Sequence, residues 1–305
     1  MHDRKALRYW LALICLFLAW PLDLSQAADA QPPNPDAELA AAITVGEPQW
    51  LEADGKRFLG IYTRSTTGSS VGGAIILPSL GRTPDWPDVI APLRKALPAH
   101  SWNTLAIELP MPAKGADGLW QLEPYFTASR SRIQSAINYL QQQGISNIVL
   151  IGHGLGAAAA AVCVSGNDPL KVSGLAAISL GAPPGSEPKS YGPELLEKIH
   201  VPILDIYGSR DFDEVTASAA ARVTAARRGG LAAMRSQQLE ALKRSPQARL
   251  LSTDRNGYIA YRQLKLMGAD HSFRGAEPTL IKRIMGWLKK HSEGGDASIP
   301  PSDSG

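Results

Sequence analysis

Cysteine is almost missing from this chain: 305 residues hold two, Cys15 and Cys163. Cys15 lies in an N-terminal apolar run that reads as removable, so the mature chain keeps Cys163 alone. An intramolecular disulfide is then excluded, and stability must come from a packed core. Long apolar runs are lacking too. The run over residues 9–22 is cut by Pro21 and followed by Asp23, short of the roughly 18 to 20 residues that a membrane span needs. Nor is there an excess of one charge, since 31 Lys and Arg against 28 Asp and Glu leave +3. That is too little to argue for nucleic acid, and no nucleic-acid motif is present. No His, Cys or carboxylate cluster has ligand spacing, so the sequence indicates no metal and no cofactor. Internal repeats are absent as well.

What is there begins with Arg4, Lys5 and Arg8, the apolar run, and small residues at Ser25, Ala27, Ala28 and Ala30. This order predicts a signal peptide over residues 1–27 and export, as a periplasmic protein or one otherwise outside the cytoplasm. Residues 28–45 read as a flexible lead-in and 292–305 as a disordered tail, because neither buries enough apolar surface to offset its ordering. Residues 46–291 form the expected domain. With 44% hydrophobic residues overall, a unit of this size can bury a large core.

Strands are expected over residues 57–64, 71–77, 104–109, 147–151, 174–180, 202–207 and 262–267. Helices are expected over 87–97, 125–143, 155–164, 193–198, 214–228 and 278–291, with Pro87, Pro193 and Pro278 in first turns. An insert around 231–242 reads as an extra helix beside the cleft, and 181–191 as too short for a large lid domain. Such alternation argues for an α/β fold, a mostly parallel twisted sheet with helices on both faces.

One missing residue matters more than all the others. Residues 148–160 read IVLIGHGLGAAAA, an apolar run that breaks at Gly152-His153-Gly154-Leu155-Gly156 into an alanine-rich helix. This is the strand, tight turn and helix of a nucleophile elbow, with glycine at the apex where a serine would sit. At positive φ a side chain costs about 1 to 3 kcal/mol that glycine avoids. Gly154 keeps the turn and drops the attacking atom, a loss worth on the order of 10⁶ in turnover for a triad enzyme. Downstream, Asp211 follows the expected strand at 202–207, and His271 lies in Gly268-Ala269-Asp270-His271-Ser272-Phe273, the order of an acid and a base.

Together these three signals resemble the α/β-hydrolase superfamily over nearly the whole mature chain. The stretch Ile76-Leu77-Pro78-Ser79-Leu80-Gly81-Arg82-Thr83-Pro84-Asp85-Trp86-Pro87 is similar to a bacterial family of exported hydrolase-like proteins of unknown function. The resemblance implies the fold and the compartment and names no substrate. It also puts the loop after Leu77 at the oxyanion-loop position, with Pro78-Ser79-Leu80-Gly81 where hydrolases commonly carry His-Gly.

The candidate catalytic residues are therefore Asp211, His271 and Ser79, with Gly154 at the nucleophile position. The candidate ligand-binding residues are Ser79, Leu80, Trp86, His153, Gly154 and Leu155. Asp213 is a second candidate acid, and Asp270 is expected to face solvent or cap a turn. Asp85 is expected to bond free helix amides while Trp86 either packs or faces a ligand. His153 is expected to point away from the cleft, and Cys163 to be a small core residue. Arg222, Arg227, Arg228, Arg235, Lys243, Arg244 and Arg249 form a basic stretch, expected as a solvated helix face that could meet an anionic surface.

Three readings follow. The first is a non-catalytic module of the cell envelope that binds a small-molecule, acyl or lipid-like ligand in the old cleft. The second is a hydrolase of an ester, thioester or amide using Asp211 and His271 with water or Ser79. The third is an interaction protein docking onto an envelope protein or anionic surface through the basic helical stretch.

Overall fold

The computed structural model describes residues 35–115, 117–181, 186, 192–244 and 261–292. The expected signal peptide, the start of the lead-in, the tail beyond 292 and most of 181–191 lie outside them. The chain divides into units 1–41 and 42–305. Helix α1 (Pro35–Ala42) falls within the segment expected to be flexible and buries none of its residues.

The larger unit is built on an eight-stranded sheet in the order β1-β2-β4-β3-β7-β8-β9-β10. Strands β1 (Glu47–Ala53) and β2 (Lys56–Thr63) form an antiparallel edge, while β3 (Gly72–Leu77), β4 (Trp102–Ile107), β7 (Ile148–His153), β8 (Gly174–Ile178), β9 (Ile203–Arg210) and β10 (Tyr261–Asp270) run parallel. A two-stranded ribbon, β5 (Ala113–Lys114) with β6 (Trp120–Gln121), lies outside the sheet. Strand β7 is buried along its whole length, as an apolar strand covered on both faces must be. Its alternate residues feed two cores. Ile148 and Leu150 pack with Ile133, Ile137 and Leu140 of α3 (Leu122–Gln142) and the alanines of α4 (Leu155–Val164). Val149 and Ile151 pack with Ile90 and Leu93 of α2 (Ile90–Ala96) and Leu280, Ile284 and Leu288 of α8 (Glu277–Ser292).

Several expectations are corrected. The helix expected from Pro87 begins at Ile90, and its N-cap, Val89, makes no side-chain cap bond. Asp85 does not bond helix amides. It pairs with the buried Arg94, at 2.8 Å to Nε and 2.6 Å to Nη2, because a buried guanidinium without a carboxylate would be far costlier than an open helix end. The helix expected to end at residue 228 and the separate insert helix are one element, α7 (Ala219–Arg244), preceded by the short α6 (Asp213–Ala217). Gly229 does not break it. A Cβ there would overlap the backbone of Glu197, so the glycine allows close packing beside α5 (Pro193–Leu196).

Arg222 is not part of a solvated face. It is wholly buried and paired with Asp205 at 2.8 Å, and that carboxylate also accepts from Tyr261 and Gln263. Arg228 pairs with Glu197 at 3.0 Å and Arg227 is exposed. The side chains of Arg235, Lys243, Arg244 and Arg249 lie outside the described residues.

Candidate functional site

All the site residues stand at the carboxyl ends of neighbouring parallel strands, where open α/β sheets leave a crevice. Leu77, Gly152 and Ala177 are level across β3, β7 and β8. The loops that follow these strands therefore rise together, carrying Ser79, Gly154 and Ser179. Asp211 follows β9. His271 follows β10, just beyond an irregularity between Leu266 and Asp270, the kind of bulge that re-aims a side chain.

Between β7 and α4 the chain turns at Gly154 with φ +53° and ψ −119°, a conformation that residues bearing a side chain rarely adopt. Its N–H donates to the Ile178 carbonyl at 2.9 Å, and its own carbonyl accepts from Ala157 and Ala158 at 3.0 and 3.1 Å. Gly156 lets α4 press on the end of β3, since a Cβ there would overlap the Pro78 and Leu77 carbonyls. As a first-turn residue of α4, Leu155 has no intrahelical acceptor for its N–H.

Asp211 and His271 meet, with Nδ1 and Oδ1 2.8 Å apart. The Asp211 side chain is fully buried and that of His271 is 21% exposed. Asp211 also accepts from the Ser179 hydroxyl, from the Gly208 N–H at 3.3 Å and from the Phe212 N–H at 2.9 Å. Burial pushes the carboxyl upward, but the bonds from His271, Ser179 and Phe212 and the adjoining imidazole charge outweigh it and hold the group below the usual carboxylate range. An ionised carboxylate only accepts, so Nδ1 of His271 carries a proton and donates it to Asp211. Asp213, the alternative acid, is exposed at the start of α6. Asp270 accepts from the Ser272 N–H and hydroxyl at 2.9 and 2.8 Å, capping a turn.

The empty apex has a neighbour. A Cβ built on Gly154 would overlap Ser79 Oγ and stand 3.2 Å from His271 Nε2. The hydroxyl of Ser79 thus enters the space that a serine at 154 would fill. Cys163 is buried in α4, and burial pushes its thiol up to about 12, which leaves it inert.

His153 corrects another expectation. It does not turn away from the cleft but floors it, fully buried, with Nε2 2.8 Å from the His271 carbonyl. Burial first, and then the neighbouring His271, push its pKa down to about 3. The neutral ring therefore donates through Nε2, and Nδ1 has no partner. Rings adjoin through the site: Trp86 stacks on His153 at 5.3 Å, His153 lies tilted 4.7 Å from His271, and Phe212 stacks on His271 at 4.1 Å. Asp88 joins the Trp86 loop to the His271 loop through Arg274 at 3.1 Å. Ser79, Trp86, His153, Gly154, Phe212 and His271 line a cavity of about 450 Å³, with Leu80 and Leu155 also on its wall.

Sequence reasoning missed Ser179 and Phe212. Ser179 has φ +53° and directly follows β8, so its place at a strand's carboxyl end was the available signal. Phe212 had none beyond adjacency to Asp211.

Among solved structures, the chain resembles an α/β serine hydrolase homologue from Coxiella burnetii, at 15% identity over 81% of this chain and 99% of that one, TM-score 0.52. It is similarly related to a protein of unknown function from Agrobacterium tumefaciens, a putative α/β hydrolase, at 17% identity over 83% and 100%, TM-score 0.52. The esterase domain of a Rhodothermus marinus protein matches at 16% identity over 80% and 98%, TM-score 0.53. At such identities these likenesses carry the fold, which is that of the α/β hydrolases. No curated protein matches. The model of a family described as a protein of unknown function, DUF3530, matches residues 11–128 and 121–249, and the chain belongs to that family.

Proposed function

We propose that this protein is a hydrolase of an ester, thioester or amide in which Ser79, reaching in from the loop after β3, replaces the serine missing from a nucleophile elbow at Gly154. The observation that carries this reading is the Ser79 hydroxyl in the space above Gly154, the same space that His271 Nε2 borders at 3.2 Å from a Cβ built there. An Asp211–His271 pair oriented in this way beside an open cavity is the arrangement by which a hydroxyl proton is taken up in acyl transfer.

Ser79 Oγ attacks the carbonyl carbon while its proton passes to His271 Nε2, and Asp211 stabilises the imidazolium. The tetrahedral oxyanion takes a hydrogen bond from the Leu155 N–H. Collapse breaks the bond to the alcohol, thiol or amine, which leaves with the proton from His271. Water, deprotonated by the same nitrogen, then releases the acid and regenerates Ser79. Catalytic hydrogen bonds are commonly long before substrate binds. No described hydrogen bond joins Ser79 to His271, and this favours the other reading, a ligand-binding module without turnover. The basic, apolar and small-residue order of the N-terminus supports a place outside the cytoplasm for either.

A fluorophosphonate, which reacts with activated serines, tests the proposal by peptide mass spectrometry. Ser79 should be modified in the wild type and in neither Ser79→Ala nor His271→Ala. A folded wild type unmodified at Ser79 and without ester turnover would overturn it in favour of binding alone, and turnover unaltered by Ser79→Ala would overturn it in favour of water as the nucleophile.

A further inference from the structure

Resting on that reading of the cleft, we infer that Arg82 selects substrates carrying a carboxylate beside the reacting carbonyl. Ser79 and Arg82 are the two ends of one turn. The Arg82 N–H donates to the Ser79 carbonyl at 3.0 Å, and Gly81 between them has φ +66°, the positive value that a type II turn requires at its third position. Such a turn holds its end residues within about 7 Å of each other. The position of the cation is therefore tied to that of the hydroxyl.

The Arg82 guanidinium lies over the Trp86 ring, 4.7 Å from its centroid, and Arg82 lines the same cavity as Ser79 and His271. Stacking on an aromatic face sets the plane of a guanidinium and leaves its N–H edge free to receive a carboxylate in bidentate fashion. The acids of its own loop are already engaged, Asp85 by Arg94 and Asp88 by Arg274. Among the described residues no carboxylate lies within ion-pair distance of Arg82. Arg210 and Asp270 also line the cavity. They are in register, and Arg210 donates to the Gly268 carbonyl; the bonds from Ser272 and from the Phe273 N–H, and less strongly the Arg210 charge, hold the Asp270 carboxyl low. Among the described residues Arg82 thus stands on the cavity wall with no carboxylate at ion-pair distance, a short span from the candidate nucleophile.

The test compares the 4-nitrophenyl monoester of adipate with 4-nitrophenyl hexanoate, which differ in the terminal carboxylate, each corrected for spontaneous hydrolysis. A second pair, 3-acetoxybenzoate and phenyl acetate, puts the charge on the leaving group. In one pair the wild type should favour the anion by about two- to fivefold in kcat/KM, as expected of an ion contact at an exposed guanidinium. Arg82→Gln should bring that ratio close to one, Arg82→Lys should keep part of it, and added salt should shrink it in the wild type. Turnover of the neutral esters with no preference in either pair, or a preference that survives Arg82→Gln, would overturn the inference and leave the proposed activity standing. Silence with every ester would count against the activity instead. Binding of monomethyl adipate against methyl hexanoate, followed by ligand-observed NMR in the wild type and Arg82→Gln, then decides the charge selection. Equal binding of the two by the wild type would overturn it.

Discussion

Moving the proposed nucleophile from Ser79 to residue 154 tests the geometry of the turn and its chemistry together. Gly154→Ser puts a side chain at φ +53°, which costs about 1 to 3 kcal/mol of backbone strain. In a domain of this size that lowers Tm by roughly 3 to 10 °C. A second cost arises because the new Cβ overlaps Ser79 Oγ and lies 3.1 Å from Ser79 Cβ. Ser79→Ala removes the first of these contacts and leaves the second, which a small shift relieves. The penalty of Gly154→Ser should therefore be about 1 kcal/mol smaller in the Ser79→Ala background, within the usual coupling of residues in contact. Four proteins, unfolded thermally and by urea, measure this cycle. In turnover of 4-nitrophenyl hexanoate, Ser79→Ala should lose on the order of 10³-fold or more, as the loss of a nucleophile does. The double variant should recover at least tenfold of that loss, with a hydroxyl again beside His271, and His271→Ala should abolish the recovery. A Gly154→Ser penalty equal in both backgrounds to within about 0.3 kcal/mol would refute the overlap on which the reasoning rests.

Asp211→Asn leaves a group that can donate to Nδ1 and so favours the wrong tautomer of His271; kcat should fall on the order of 10⁴-fold, and a loss below tenfold would deny the pair its role. His153 has its folded pKa lowered to about 3, so in acid the unfolded chain takes up the proton first. Its contribution should lower stability as pH falls from about 6.5. Urea midpoints between pH 7 and 4 should decline less in His153→Gln than in the wild type, and parallel curves would contradict this. Arg222→Met strands the fully buried Asp205 carboxylate and should cost about 3 to 5 kcal/mol by urea unfolding, a cost that Arg222→Met with Asp205→Leu largely removes. Mass spectrometry of envelope fractions should find the mature chain starting after Ala27 or Ala30, and an N-terminus at Met1 would contradict export.

Elements whose pattern is local were readable, and those whose reason lies across the sheet were not. The alanine helix α4 has the expected bounds, Leu155–Val164, because Gly154 starts it and the apolar run sustains it. Strand β1, Glu47–Ala53, was missed. Its EPQWLEA lacks a strong alternation, and the strand exists because β2 offers it an antiparallel edge. Arg222 looked like one more cation on a basic face, since nothing near it in the chain announces Asp205 on β9 or Tyr261 on β10. The site divides in the same way. Gly154, Asp211 and His271 each carry a local signature, a turn glycine or a polar residue at the end of an apolar run. Ser79 was a weak candidate on its own loop. Its meaning comes from the order β3-β7-β8-β9-β10, which brings five loops to one edge and sets its hydroxyl over a glycine seventy-five positions away. A glycine at the turn after β7 and a hydroxyl from the neighbouring loop in the space above it are one fact about packing, and only the level carboxyl ends of β3 and β7 make it visible.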